Sequence, residues 1–142
     1  MRFWDASAIV PLVCRESLSP RSRSLYREDP LLLVWTLTPT EALSALSRKR
    51  RQGAISQLVY REGQRRLNLL TTDWMEVYDL DAVKVRAHRL LGVHPLRAAD
   101  ALQLAAALVG VFDQPGGFEF VTFDAALGEA AEQEGFSVLR DD

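Results

Sequence analysis

The sequence has few of the residues that form disulfides, thiolate metal sites and histidine-based catalytic sets. Among its 142 residues are one cysteine, Cys14, and two histidines, His88 and His94. A single cysteine excludes an intrachain disulfide and a zinc site of several thiolates, and it agrees with a reducing compartment. Neither histidine stands near a candidate nucleophile in the sequence, so a hydrolase of the Ser-His-Asp type is not expected.

Long hydrophobic runs are also missing. The longest uncharged stretch in the second half, Ala101–Phe112, is well short of the ~20 apolar residues that a membrane-spanning helix needs. Near the start, the apolar stretch Ala8–Val13 is preceded by Asp5 and has no basic leader, which argues against a secretory signal. We therefore expect a cytoplasmic protein with no membrane segment.

Charge of one sign is not in excess. Lys plus Arg number 17 against 19 for Asp plus Glu, a net charge of −2, so any nucleic-acid binding must be local. Only Lys49 and Lys84 are lysines, and all other basic residues are arginines. Arginine suits contacts with phosphate, but a genome rich in G and C gives the same bias, and we give that explanation more weight.

The composition is that of one globular domain over residues 1–142, with 48% hydrophobic and 25% charged residues. No repeat or long linker interrupts the chain. Hydrophobic periodicity predicts helices that alternate with short strands through most of the sequence. Such alternation indicates an α/β fold with a central parallel β-sheet flanked by α-helices on both faces. The predicted strands cover residues 2–4, 31–36, 75–78, 118–123 and 137–139.

Four acidic residues fall where such a sheet places its functional sites. Asp5 ends the first strand, Glu41 begins the helix after the second strand, and Asp124 ends the fourth. Asp100 lies in the first turn of an Ala-rich helix. The carboxyl ends of parallel strands share one edge, so we expect these acids to lie close together. Crowded carboxylates without fixed counter-charges favour a hard, oxygen-loving cation such as Mg²⁺ or Mn²⁺.

Each acid also has an ordinary structural interpretation. Glu41 completes a capping box with Thr38, and Asp124 is placed to cap the helix that follows it. Asp100 suits the dipole of its helix, and Asp5 suits a local turn after its strand. Taken singly, these interpretations are the better ones. They do not explain why all four acids should share one edge of the sheet.

Four short motifs make the chain resemble the PIN-domain family. Phe3–Ala8 resembles the opening strand of PIN domains, Thr40–Glu41 their second acidic motif, Leu96–Ala105 their most characteristic stretch and Val121–Asp124 their fourth. The motifs occur in the family's order and span nearly the whole chain. Length and organisation resemble in particular the VapC-type toxin ribonucleases of type II toxin-antitoxin systems. The resemblance implies a parallel sheet flanked by helices and an endoribonuclease that cleaves single-stranded RNA.

Carried over residue by residue, the resemblance implies a metal pocket that is also the catalytic centre. Bound Mg²⁺ or Mn²⁺ would supply a metal-activated water that attacks the phosphodiester, and the sequence is compatible with one ion or two. Two hydroxyl side chains would support the pocket at its rim. The implied metal and catalytic residues are Asp5, Glu41, Asp100 and Asp124, and the implied supports are Ser7 and Thr122.

The resemblance also implies partners. A basic cluster of Arg48, Lys49, Arg50 and Arg51 is a candidate for binding RNA phosphates, although bases at a helix C-terminus also suit the helix dipole. Relatives of this type are inhibited by a VapB-like antitoxin, whose C-terminal segment lies in a groove between the early helices and often places an arginine in the acidic pocket.

The residues that would line such an antitoxin groove are Val10, Val13 and those of Ala42–Leu46, although each is equally explained as core. Many relatives form homodimers through helices in the middle of the chain, to which Tyr60 and Trp74 could contribute. These assignments are expectations for the structure.

Three other functions fit parts of the same pattern. One is a catalytically silent PIN scaffold that binds RNA or a partner, against which the intact acids argue. Another is a phosphoryl-transfer protein with Asp5 as nucleophile, but Ser7 stands where a second acid is needed and no lysine lies near a late strand. The third is a non-toxin PIN nuclease of RNA processing, which shares the chemistry and differs in biological role.

Overall fold

The computed structural model describes residues 1–142 and contains five strands and seven helices. None of these helices combines the length and the apolarity needed to span a bilayer. In chain order the elements are β1 (Arg2–Trp4), α1 (Ala6–Val13), α2 (Ser19–Glu28), β2 (Leu32–Trp35), α3 (Thr38–Arg51), α4 (Gln57–Thr71), β3 (Met75–Val77), α5 (Leu80–Val93), α6 (Ala98–Gly110), β4 (Glu119–Val121), α7 (Ala125–Gln133) and β5 (Ser137–Leu139).

All five strands are parallel and lie in the order β3-β2-β1-β4-β5. The predicted α/β fold with a parallel sheet is therefore confirmed. The first strand is central, where Phe3 pairs with Leu33 on one side and with Phe120 on the other. The segments that follow β1, β2 and β4 consequently leave the sheet side by side at its carboxyl edge.

Alternate residues of each strand pack on opposite faces of the sheet, as the period of a strand requires. In β2, Leu33 and Trp35 belong to a core that also contains residues of α5, α6 and α7. Leu32 and Val34 belong to a second core with α1, α2, α3 and α4. Burial on both faces explains why β2 is an almost continuous apolar run in the sequence.

Several element boundaries differ from those that the sequence predicts. Helix α1 begins at Ala6, directly after Asp5, whose carboxylate caps it. Strand β2 does not include Leu31, whose side chain is 60% exposed. Strand β4 is three residues long, shorter than the predicted 118–123.

Candidate active site

A cavity of about 510 Å³ lies at the carboxyl edge of the sheet, and the four candidate acids all line it. They come from four separate parts of the chain, at the ends of β1 and β4 and in the first turns of α3 and α6. The structure therefore brings together the acids that the sequence pattern singled out. The lining residues are Asp5, Ala6, Ser7, Val10, Thr40, Glu41, Ser44, Ala45, Arg48, Ala99, Asp100 and Asp124.

Asp5 is the most firmly held of the four acids. Its side chain is the N-cap of α1, and its Oδ1 accepts the backbone N–H of Ser7 at 2.9 Å. Its Oδ2 accepts the hydroxyls of Ser7 and Thr122, each at 2.5 Å. The side chain is buried, so three donors compensate for the water that the carboxylate loses. These contacts fix its orientation at the end of the central strand.

The two hydroxyl residues also tie β1 to the segment after β4. The backbone N–H of Phe123 donates to Ser7 Oγ at 2.9 Å, and the N–H of Asp124 donates to Thr122 Oγ1 at 3.1 Å. The hydroxyl oxygens of Ser7 and Thr122 are 3.3 Å apart. This connected network sets the position of the Asp124 backbone relative to the carboxylate of Asp5.

Glu41 is positioned by a residue that the sequence analysis did not select. The predicted capping box with Thr38 is wrong, because the N-cap of α3 is Leu37 and no side chain caps this helix. Instead, Nε2 of Gln103 donates to Glu41 Oε1 at 3.2 Å and to Thr38 Oγ1 at 3.1 Å. Gln103 is fully buried. Gln103 comes three residues after Asp100, so both side chains lie on the same side of α6. This spacing is the only sequence signal that Gln103 helps to position the acids.

The remaining two acids lie at the starts of helices. Asp100 is half-buried in the first turn of α6. Asp124 is exposed and caps α7, with its Oδ1 accepting the N–H of Leu127 at 2.8 Å. The structural interpretation of Asp124 as an N-cap is therefore correct, and the same carboxylate also lines the cavity. One role does not exclude the other, because the cap uses one of its two oxygens.

The acids disfavour each other's charge. Burial raises the pKa of Glu41 to about 7, opposed by the hydrogen bond from Gln103 and reinforced by the charges of Asp5 and Asp100. Burial, followed by the charges of Asp124 and Asp5, raises the pKa of Asp100 to about 6. Burial also raises the pKa of Asp5, although its three hydrogen bonds act in the opposite direction. A bound cation would relieve this repulsion.

The donor set of the cavity fits a hard divalent cation. It consists of carboxylate oxygens with hydroxyls nearby, the ligand chemistry that Mg²⁺ and Mn²⁺ prefer. As the side chains stand, however, no group of three or more histidine, cysteine or acidic residues is arranged to hold a metal ion. The cavity is thus a candidate metal site because its donor atoms are of the right kind, although they do not stand in a coordination geometry.

The predicted basic cluster divides according to the direction of each side chain. Arg48 lines the cavity, whereas Lys49 forms an ion pair with Glu16 at 2.9 Å. The guanidinium of Arg50 stacks over the ring of Tyr60, 4.1 Å from its centroid. Arg51 is exposed and does not line the cavity. The four basic residues therefore do not form one phosphate-binding surface at this cavity.

The residues proposed for partner binding are mostly buried within the chain. Val10, Val13, Ala42 and Leu46 belong to the second core, and of the proposed groove residues Val10, Ser44 and Ala45 line the cavity. The antitoxin groove between the early helices stays a prediction, although most of the residues assigned to it pack in the core of this chain. Tyr60 and Trp74 are also buried, the former against Ser47 and the latter against Glu76, so neither offers a large surface for a homodimer.

Comparisons with known proteins agree with this architecture. The model of the PIN domain family matches residues 2–133, and the chain therefore belongs to the PIN domain family. PIN domains are in general metal-dependent nucleases that use Mg²⁺ or Mn²⁺. One matching solved structure is that of PAE2754 from Pyrobaculum aerophilum, with a TM-score of 0.64, 22% identity and coverage of 96% of this chain and 87% of that one. The comparison with curated proteins found no match.

Proposed function

We propose that this chain is a metal-dependent endoribonuclease that cleaves single-stranded RNA and acts as the toxin of a toxin-antitoxin pair. One observation carries the proposal: four carboxylates from four segments of a PIN fold line a single cavity. Singly, Asp5 and Asp124 are explained as helix caps, and Glu41 and Asp100 by the dipoles of the helices in whose first turns they lie. Their common cavity is better explained by a shared ligand.

The proposed metal ligands are Asp5, Glu41, Asp100 and Asp124. When bound there, Mg²⁺ or Mn²⁺ would supply an activated water as nucleophile and offset negative charge on the scissile phosphate. In two of these acids the chain itself engages one carboxylate oxygen: Glu41 Oε1 accepts from Gln103, and Asp124 Oδ1 accepts from Leu127. The second oxygen of each of these two carboxylates is then available to a ligand or to a proton.

The chain itself would contribute in two ways, by holding Asp5 in one orientation and by setting the protonation of Glu41 and Asp100. The hydroxyls of Ser7 and Thr122 hold Asp5 in one orientation, so its carboxylate need not reorganise when charge develops nearby. Glu41 and Asp100 have pKa values raised to about 7 and about 6, so Glu41 is partly protonated at neutral pH and Asp100 at slightly lower pH. Binding of a divalent cation favours their ionised forms and releases those protons.

The test is cleavage of labelled single-stranded RNA with Mn²⁺, Mg²⁺ or EDTA present. We expect wild type to cleave only with a divalent ion and Asp5→Asn to be inactive in all conditions. Asparagine keeps the size of the side chain and an oxygen that can cap α1, but its amide nitrogen cannot accept the hydroxyls of Ser7 and Thr122. Circular dichroism and thermal unfolding of Asp5→Asn must therefore show a folded protein before loss of activity is assigned to loss of the charge. Metal-independent cleavage, or equal cleavage by both proteins, contradicts the proposal, and no cleavage by wild type favours a silent scaffold.

The toxin role is tested separately by expression in a bacterial host. A toxin is expected to arrest growth as wild type and not as Asp5→Asn, and co-expression of an adjacent small gene for a DNA-binding antitoxin should restore growth. Nuclease activity without growth arrest supports the non-toxin PIN nuclease instead. A VapB-like partner with an arginine in the acidic cavity, and a homodimer, remain part of this proposal.

A further inference from the structure

Arg48 is the only basic side chain that lines the acidic cavity. Its position follows from the geometry of α3, because residues at intervals of three and four share one side of a helix. Glu41, Ser44, Ala45 and Arg48 have this spacing, and all four line the cavity. A rise of about 1.5 Å per residue places Arg48 about 10 Å along the helix axis from Glu41.

The charge of Arg48 is not used within the chain. The ion pairs of the molecule include Lys49 with Glu16 but none with Arg48. Arg50, by contrast, stacks on Tyr60 and donates to Gln57 at 3.2 Å. Arg48 is exposed, with a free guanidinium at the rim of a cavity that otherwise carries only negative charge. A planar guanidinium in this position suits a phosphate group.

We propose that Arg48 binds a backbone phosphate of single-stranded RNA next to the scissile one, and that Lys49 and Arg50 do not contact the substrate. The inference deepens the proposed nuclease function and rests on it. The separation of about 10 Å along α3 places the base of the Arg48 side chain beyond the acids near Glu41, which suits a neighbouring phosphate of the same strand. Arg48 is therefore a positioning residue, which raises affinity for RNA and takes no part in bond cleavage.

The test compares RNA binding with and without Arg48 in protein that cannot cleave. Fluorescence anisotropy with a labelled single-stranded RNA oligonucleotide gives Kd for Asp5→Asn and for Asp5→Asn/Arg48→Ala over a range of salt concentrations. Loss of one phosphate contact should weaken binding about five- to tenfold at low salt. It should also reduce the slope of log K against log salt by about 0.7, the value for one phosphate on a single strand.

A matched control is Arg27→Ala, added to Asp5→Asn. Arg27 is an exposed arginine in the last turn of α2 that forms no ion pair and does not line the cavity, so its removal should leave Kd and the salt slope unchanged. Arg48→Lys keeps the charge but not the paired donors, and we expect an intermediate Kd with an unchanged slope.

Cleavage assays separate this inference from the proposed function. In otherwise wild-type protein, Arg48→Ala should raise KM five- to tenfold and change kcat by less than a factor of about two, since the contact is made equally before and during reaction. If wild type cleaves no RNA but Arg48→Ala still weakens binding, the nuclease proposal fails and the phosphate contact stands. Equal Kd and salt slope with and without Arg48, or the same loss with Arg27→Ala, overturns the inference.

Discussion

At the scale of single residues, the candidate site depends on how firmly Asp5 is held. Two hydroxyls donate to the same oxygen of this buried carboxylate, and one of them belongs to the fully buried Thr122. Replacing Thr122 by valine keeps the shape of the side chain, removes one donor from Asp5 and leaves the N–H of Asp124 without its acceptor. We expect Thr122→Val to lower the free energy of unfolding by about 1–3 kcal/mol.

Urea unfolding of wild type, Thr122→Val and Thr122→Ser measures this effect. Serine keeps the hydroxyl, so Thr122→Ser should retain most of the stability that valine loses, apart from the small cost of one missing methyl group. If the valine variant is as stable as wild type, the hydroxyl contributes nothing to holding Asp5. The network at the end of β1 would then be of no energetic consequence.

Single residues also show where sequence reasoning succeeds and where it fails. The common location of Asp5, Glu41 and Asp124 is predictable because each follows a parallel strand, and the carboxyl ends of such strands share one edge. Asp100 follows helix α5 and not a strand, and its place beside them is predicted by the family motif Leu96–Ala105. Gln103 was missed, because a buried glutamine within an Ala- and Leu-rich helix has no pattern that identifies its partner. The capping box at Thr38 failed for a related reason: a pattern that is local in sequence cannot show that Gln103, a distant residue, binds both Thr38 and Glu41.

At the scale of elements, Asp124 combines two functions that can be separated by mutation. Its Oδ1 caps α7, and its carboxylate lines the acidic cavity. Asp124→Ala should lower the free energy of unfolding by about 1 kcal/mol through loss of the cap. Asp124→Ser keeps a capping oxygen and should be close to wild type in stability, but it lacks the charge.

Thermal unfolding with and without Mn²⁺ distinguishes the two functions. Both Asp124 variants should gain less stability from Mn²⁺ than wild type does, although only the alanine variant is destabilised without it. A serine variant with the full response to Mn²⁺ would show that Asp124 is a helix cap and not a ligand.

The arrangement of helices explains another limit of the sequence. Consecutive arginines and lysines on α3 form one cluster in the sequence, but successive residues of a helix point in different directions. Arg48 therefore faces the cavity, Lys49 reaches Glu16, and Arg50 reaches Tyr60. The rotation of α3 about its axis decides which basic side chain lines the cavity, and that rotation is fixed by the packing of Ala42 and Leu46 in the core.

At the scale of the whole molecule, the acidic cavity makes stability depend on pH. The pKa values of Glu41 and Asp100 rise in the folded protein to about 7 and about 6, from ordinary values of 4.5 and 3.8. At pH values between the ordinary and the raised pKa of each group, the folded protein binds more protons than the unfolded chain, so protonation favours folding. In EDTA, Tm should therefore fall as the pH rises from about 5 to about 7.5.

Glu41→Gln provides the control for this pH dependence. Glutamine cannot ionise, so the fall in Tm should be clearly smaller in this variant, with Asp100 and Asp5, whose pKa values are also raised, responsible for what remains. Addition of Mn²⁺ should oppose the trend in wild type, because the ion binds the ionised carboxylates and stabilises the folded protein more at higher pH. A Tm that is constant or rises over this range in EDTA contradicts the electrostatics described for the cavity.

Calorimetric titration with Mn²⁺ at pH 7.5 tests most directly whether these separated carboxylates bind one cation. We predict uptake by wild type, with a heat that varies with the ionisation enthalpy of the buffer because Glu41, whose pKa is about 7, is still partly protonated and releases that proton, and no uptake by the double variant Asp5→Asn/Asp100→Asn. Absence of uptake by wild type, or equal uptake by the two proteins, would contradict the assignment of a metal centre to the acidic cavity.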